Sequence, residues 1–406
     1  MDRKGWISLL AKIEKALQNY QSYIKRKNQI HDLEEQTKKS FHSASLFLTH
    51  ITYGNVKTYI YPTIQKTLIL ETHKEIIFTI PKGMNPKNLT EKEYVFKQYL
   101  GDSIELEIGS ITCVIRIFPK RMKSVNYSFN ELLVRNELLP VIVGQNKYNQ
   151  WIKYSLITSP NTLISGVPGS GKSSMLRTIL TTWVLMKKPH ELEMYLVDLK
   201  KSEFHIFEKI EHVKAVCDTP GQFKPIMKKL MAELDKRGNL LKKYGVSHIN
   251  DIPASERPGF IVLVIDEVIV LKKEKEITED LLQYACLGRA YGMFLILSMQ
   301  RPCNKSLDTA IRAILNARLG FRSEDKTNSD ISGTPGAENI PSNEPGRMIF
   351  KIDADSLQEV QAPFLSVEEA KKLLSPFKRK DDTKGPDCSR ISKENDPNTI
   401  FGLMED

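Results

Sequence analysis

The segment Gly166-Val167-Pro168-Gly169-Ser170-Gly171-Lys172-Ser173 constrains this chain more than any other. It fits G-x-x-x-x-G-K-[ST], and its surroundings suit the pattern. The apolar run Thr162–Ser165 precedes it, and an amphipathic stretch carrying Met175, Leu176, Ile179, Leu180 and Trp183 follows. Strand, glycine-rich turn and helix in that order make a phosphate cradle. Glycines let the backbone turn so that successive N–H groups face one point. The start of the helix adds partial positive charge there. Residues 166–173, with Ser174 next on the helix, are the expected nucleotide contacts. Lys172 is placed on the β- and γ-phosphates and the Ser173 hydroxyl on Mg²⁺.

A second block supports the first. The apolar run Phe260–Ile265 ends in Asp266-Glu267. A carboxylate at such a strand end holds Mg²⁺, so Ser173 and Asp266 form the expected metal pair. Glu267 is placed to orient or deprotonate an attacking water, which favours hydrolysis over binding alone. Phe294–Ser298 leads to Gln300, a candidate contact to the γ-phosphate or that water.

The pattern along the chain divides it. Residues 1–50 read as a basic helical segment, with Trp6, Leu9, Leu10, Ile13, Leu17, Tyr20 and Ile24 at helical spacing. Residues 1–66 hold 11 Lys/Arg against 5 Asp/Glu. Two readings stay open, a solvated face on a packing helix or an arm that touches DNA or a partner. Residues 51–125 read as a small α+β domain. Its expected strands are Lys57–Ile64, Thr67–Glu71, Glu75–Ile80, Ser103–Ile108 and Thr112–Phe118, with a helix over Thr90–Leu100 capped by Thr90 and Glu93. Residues 126–150 read as a connection. Over 151–377, apolar runs (Glu193–Val197, Ala317–Phe321 and those above) alternate with helical stretches (Lys172–Leu185, Thr219–Lys243, Glu279–Tyr291). Such alternation predicts an α/β unit, a parallel sheet with helices on both faces. Residues 378–406 read as a disordered tail, Lys/Asp/Ser/Pro/Asn-rich as far as Asn398, with apolar Ile400–Met404 near its end.

Composition removes several classes. No apolar run approaches the ~20 residues of a spanning helix, so no transmembrane segment and no secretory leader are expected. Five scattered cysteines (Cys113, Cys217, Cys286, Cys303, Cys388) without CxxC suggest neither zinc nor disulfides, in keeping with a cytoplasmic setting. The net charge of +10 favours a polyanionic partner.

The ordered blocks of residues 138–370 resemble the FtsK/SpoIIIE family of DNA-pumping ATPases. They are Leu139–Gly144, the phosphate cradle, Val197-Asp198-Leu199-Lys200, Met231–Arg237 with Lys243–Val246, Gly288–Gly292, Met299–Pro302, Arg318–Arg322, Gly336–Glu338 and Pro345–Met348. The small domain, with Pro81-Lys82-Gly83-Met84, is most similar to that of coupling-protein members from Gram-positive conjugative elements. The resemblance implies a RecA-like motor that binds ATP and Mg²⁺, forms a homo-oligomeric ring, typically a hexamer, and encloses double-stranded DNA. An arginine from one subunit then completes the neighbour's site; Arg318 matches that position best and Arg237 is the second candidate. Lys305 and Arg312, within Asn304–Arg312, are the implied DNA contacts, through phosphates and without sequence preference. The family's usual membrane anchor and winged-helix domain have no counterpart here. A motor recruited to DNA or membrane by a partner protein is the implied adjustment. Two other classes share the fold, a type VII-like protein-export ATPase and a non-catalytic nucleotide-dependent scaffold.

Overall fold

Helices and strands are interspersed along the chain. The computed structural model describes residues 3–52, 56–130, 134–135, 137–302 and 309–379, with side chains from residue 12 onward and none for residue 52. Lys305, Cys303, Cys388, residues 380–398 and the Ile400–Met404 stretch lie outside the described residues, as do the side chains of Trp6, Leu9 and Leu10. Two units meet between Met122 and Lys123.

In the first unit a helix runs over Arg3–Ser43. Its final turns bury Leu33, Thr37, Ser40 and Phe41, while Ile13, Leu17, Tyr20 and Tyr23 stay exposed. Strands β1 (Leu48–Thr52) and β2 (Val56–Ile60) form an antiparallel pair. Strands β3 (Thr63–Ile69), β4 (Lys74–Thr79), β5 (Ile104–Ile108) and β6 (Thr112–Ile117) form a four-stranded sheet in the order β3-β4-β6-β5. Phe41, Phe78, Phe96, Ile76 and Ile115 make its core.

Three local expectations are corrected here. The strand expected over Lys57–Ile64 is two strands that break at Tyr61-Pro62, because Pro62 has no N–H to give a ladder. The second of these, β3, then takes in most of the strand expected separately at Thr67–Glu71. The expected helix over Thr90–Leu100 is two short helices, Lys87–Glu91 and Glu93–Leu100. Thr90 lies inside the first and caps nothing; Asn85 Oδ1 accepts from Lys87 N instead, and buried Leu89 anchors that turn.

The second unit is built on a ten-stranded sheet. Its strands are β8 (Pro140–Asn146), β9 (Trp151–Ser155), β10 (Asn161–Ser165), β11 (Leu192–Asp198), β12 (Val213–Cys217), β13 (Phe260–Asp266), β14 (Met293–Met299), β15 (Ala317–Phe321), β16 (Arg347–Ile352) and β17 (Gln358–Gln361). A parallel pair, β7 (Val125–Asn126) and β18 (Pro363–Phe364), lies outside this sheet. The order is β12-β11-β13-β14-β10-β15-β16-β17-β8-β9. From β12 to β15 every pairing is parallel; from β15 to β9 every pairing is antiparallel. The sheet is therefore mixed, where the alternation predicted a parallel one. Short connections such as 353–357 between β16 and β17 leave no room for a crossover helix, so those strands must run antiparallel. Residues 126–150, read as a connection, contribute β8 to this sheet.

Helices cover both faces of the parallel part. Phe260, Val262 and Val264 of β13 join the core under the helix Lys172–Met186, with Met175, Ile179 and Trp183. Ile261, Leu263 and Ile265 face the helices Pro220–Tyr244 and Lys275–Tyr291 through Phe223, Met227, Leu230, Leu281 and Tyr284. This strand alternation explains why β13 reads as one unbroken apolar run. Trp183 Nε1 donates to the Pro140 carbonyl at 2.7 Å, tying that helix to β8. Lys378 and Arg379, read as the start of the disordered tail, are placed. Lys378 forms a β-bridge with Ile210, and Arg379 N donates to the Lys209 carbonyl at 2.9 Å.

Candidate functional site

The parallel strands end side by side, and the candidate site lies at those carboxyl ends. Ser165, Asp198, Asp266, Met299 and Phe321 are the last residues of β10, β11, β13, β14 and β15. Crevices at this edge of an open α/β sheet are where ligands bind. The Asp266 strand and the strand of the glycine-rich turn are not neighbours; β14 lies between them and brings Ser298 and Gln300 to the middle.

The glycine-rich turn is held from both sides. Gly166 N donates to Met299 O at 3.2 Å and Val167 N to Arg322 O at 3.0 Å. Gly171 has φ of 119°, and a Cβ there would meet Gly346 N and Cα at 2.9 Å. Only glycine meets both demands. Gly346 N in turn donates to Ser170 O at 2.8 Å. Two sequence blocks some 170 residues apart, both singled out above, are thus one structure.

The turn opens on a cavity of about 420 Å³. Val167, Pro168, Gly169, Gly171, Lys172, Ser173 and Ser174 line it together with Gln300. Val125, Pro363 and Phe364 supply an apolar wall, and Arg177 a further cation. Arg177 Nη1 donates to Leu365 O at 2.6 Å, and burial lowers the pKa of its guanidinium while Glu203 opposes that shift.

Lys172 is buried and only loosely satisfied. Its Nζ donates to Ser298 Oγ at 3.3 Å and lies 4.0 Å from Asp266 Oδ1. Desolvation pulls its pKa below the usual lysine value, against the pull of Asp266 and Glu267. Asp266 Oδ1 and Ser170 Oγ are buried and have no hydrogen-bond partner. Buried polar atoms are rarely left so. A buried ammonium on the cavity wall, with an orphaned carboxylate oxygen 4.0 Å behind it, fits a phosphate group and a divalent cation. Ser173 and Asp266 fit the cation and residues 166–174 the phosphates.

Glu267 stands in the left-handed region, with φ of 63°. Its Oε2 accepts from Lys200 Nζ at 2.6 Å, and Gln300 N lies 3.5 Å from its Oε1. Ser173 Oγ donates to Glu203 Oε1 at 2.5 Å. Glu203 and Arg177 were not found by sequence reasoning, and Lys200 appeared only within a motif block. Glu203 sits 30 residues from Ser173 with no pattern of its own; Arg177 falls one turn past the cradle on a helix read for its apolar face. The signal available was proximity to Asp198, an acidic residue at a parallel strand's end.

The two candidate arginines lie elsewhere. Arg318, on β15, is opposite Leu163, before the strand end. It lines no part of this cavity; its Nη1 donates to Ser332 O at 3.2 Å and its Nη2 to Arg312 O at 2.8 Å. Arg237 is at the opposite edge of the sheet. Its Nε donates to Glu233 Oε1 at 2.9 Å, Nη1 to Tyr291 O at 2.8 Å and Nη2 to Gly259 O at 2.7 Å. Arg312 lies on the short helix Thr309–Ile314.

The FtsK/SpoIIIE family model matches residues 130–319, which hold the cradle, Asp266-Glu267 and Gln300. That stretch of the second unit is similar to the FtsK/SpoIIIE family. A DNA translocase FtsK from Oceanobacillus iheyensis is 25% identical over 380 residues, covering 88% of this chain and 46% of its own length. The DNA translocase SpoIIIE of Bacillus subtilis is 27% identical over 249 residues, covering 57% of this chain and 31% of its own. The chain therefore spans less than half the length of these curated relatives. Among solved structures, the pCW3 conjugation coupling protein TcpA, in monomer form with ATPγS, superposes with a TM-score of 0.59 at 24% identity. That match covers 84% of this chain and 98% of TcpA. EssC ATPases 2 and 3 from Geobacillus thermodenitrificans give a TM-score of 0.53 at 19% identity, over 68% of this chain and 52% of theirs. Both show the fold of this family. No helix among the described residues is long and apolar enough to cross a membrane.

Proposed function

We propose that this chain is an ATP-driven translocase of double-stranded DNA that works as a homo-oligomeric ring, most simply a hexamer. The role we assign it is transfer, segregation or maintenance of a mobile element. One observation carries the reading: buried Lys172, orphaned Asp266 Oδ1 and Gln300 meet at the cradle of an FtsK/SpoIIIE unit. Relatives of that unit are DNA translocases by name. The net charge of +10 suits a polyanion.

In this reading the backbone N–H groups of 166–172 and the Lys172 ammonium bind the phosphates, and the anion offsets the desolvation of Lys172. Ser173 and Asp266 hold Mg²⁺, which when bound neutralises charge on the phosphates. Glu267 orients the attacking water and accepts its proton, with Gln300 beside it. Arg318 is our candidate for the arginine supplied to a neighbouring subunit. It is absent from its own chain's cavity, as a residue acting in trans must be, and it bonds carbonyls alone. Arg237, locked by a carboxylate and two carbonyls at the far edge, is assigned to structure. Lys305 and Arg312 remain the proposed DNA contacts, and a partner protein the proposed means of recruitment.

The test is steady-state ATP hydrolysis by the full chain with and without linear duplex DNA. Turnover is expected to rise several-fold with DNA, more at low salt than at high salt, and to vanish in Lys172→Ala. An equal rate with and without DNA removes the translocase reading. Co-purification with secreted protein substrates in the absence of DNA replaces it with export.

A further inference from the structure

The loop after β11 carries two side chains that reach the machinery just described. Asp198, buried at the strand end, builds that loop. Its Oδ1 accepts from Ser202 N at 3.1 Å, and its Oδ2 from Glu203 N at 2.8 Å and Phe204 N at 3.0 Å. Lys201 N donates to Asp198 O at 3.0 Å, and Lys201 takes a left-handed φ of 57°. Phe204, Ile206 and Phe207 then pin the following turn into the core. A carboxylate that accepts three backbone hydrogen bonds makes the loop a rigid bracket rather than a loose connection.

From this bracket Lys200 and Glu203 project to two different parts of the site. Lys200 Nζ sits 2.6 Å from Glu267 Oε2. Glu267, like Asp266, lies behind the residues that line the cavity, Lys172 and Gln300 among them. The ion pair therefore engages one oxygen of the carboxylate that would otherwise be free to accept a proton from water. Glu203 Oε1 accepts the Ser173 hydroxyl hydrogen at 2.5 Å. That fixes the hydroxyl's rotation and leaves the Ser173 oxygen lone pairs free for a cation. Arg177 Nη2, 4.0 Å from Glu203 Oε2, restrains the carboxylate from its other side.

We propose that Lys200 and Glu203 are positioning residues of the nucleotide site. Lys200 engages Glu267 in an ion pair and so restrains hydrolysis in the resting chain, and Glu203 presets the Ser173 hydroxyl for the divalent cation. Neither touches the reacting atoms; each acts through a residue that does. Both contacts hang from one rigid bracket, so a rearrangement at Ser173 is carried to Glu267. This deepens the reading of the site as an ATPase and rests on it.

Two variants and their conservative counterparts test the assignment on the full chain. Lys200→Met is expected to raise DNA-independent kcat several-fold with little change in KM, and Lys200→Arg, which keeps a cation beside Glu267, to bring the rate back toward wild type. For Glu203 the readout is binding. A fluorescent non-hydrolysable ATP analogue is titrated at a series of Mg²⁺ concentrations and again in chelator. Glu203→Ala is expected to raise the Mg²⁺ needed for half-maximal binding about tenfold, within the range for outer-sphere partners of metal ligands. Affinity in chelator stays put, and Glu203→Gln, still an acceptor, recovers most of the loss. The inference is overturned if Lys200→Met leaves kcat unchanged or lowers it, or if Glu203→Ala weakens binding equally with and without Mg²⁺. A wild-type chain that binds no nucleotide would instead remove the underlying ATPase reading, so the two failures are distinguishable.

Discussion

Among its described residues the second unit buries two cations, Lys172 and Arg237, at opposite edges of one sheet, and they are kept in different ways. Arg237, at the amino ends of the strands, has all its nitrogens engaged by Glu233 and by the carbonyls of Tyr291 and Gly259. Lys172, at the carboxyl ends, has one long hydrogen bond and one contact at the limit of an ion pair. Burying a charge is costly unless it is paired and hydrogen-bonded. The first edge meets that condition within the chain. The second leaves it unmet beside an orphaned carboxylate oxygen and a cavity. The difference sets a cation satisfied within its own chain apart from one beside a candidate ligand cavity, although both were candidate site residues.

Removing either cation tests this contrast. Arg237→Ala leaves the Tyr291 and Gly259 carbonyls without this donor, while part-exposed Glu233 keeps Lys236, and is expected to cost about 1–3 kcal/mol, visible as a fall in the denaturant midpoint. If Arg237→Ala instead melts like wild type yet hydrolyses nothing, Arg237 belongs to the chemistry and the contrast fails. Glu267→Gln keeps the side chain's size and one accepting oxygen, enough for one of the hydrogen bonds from Lys200 Nζ and Gln300 N, while removing a base. It is expected to lower kcat at least ~10²-fold with nucleotide affinity retained, as measured by single-turnover kinetics beside equilibrium binding. Equal losses in binding and turnover would place Glu267 among the binding groups.

The first edge and the second were not equally legible in the sequence. Residues 166–174, Asp266, Glu267 and Gln300 could be read because phosphate chemistry imposes residue types at short, fixed spacing. Arg237 could not be sorted from Arg318 that way. Both bond backbone carbonyls; what distinguishes them is the Glu233 carboxylate and the deeper burial around Arg237, which depend on how β13, β14 and their covering helix pack. Glu203 was missed for the same reason, since its contact with Ser173 exists only once β11 and β10 are placed in the sheet. Within the fold, β13's unbroken apolar run announced a strand covered on both faces. The antiparallel extension from β16 to β9 was hidden, because hairpin-linked strands and crossover strands look alike until connection lengths are weighed. Thr90 shows the limit of a local motif: its spacing to Glu93 suits a cap, but Asn85 and the burial of Leu89 start the helix earlier.

The most direct test of an under-paired cation is its stability with and without the anion it awaits. Wild type and Lys172→Met would be melted alone and with ATPγS and Mg²⁺. Without nucleotide the variant is expected to melt higher, by about 2–4 °C per kcal/mol of burial cost relieved. With nucleotide at about 100 times its Kd, the wild type alone should gain about 2.7 kcal/mol. A Lys172→Met chain that melts lower than wild type without nucleotide, and rises with it by the same amount, would contradict the account.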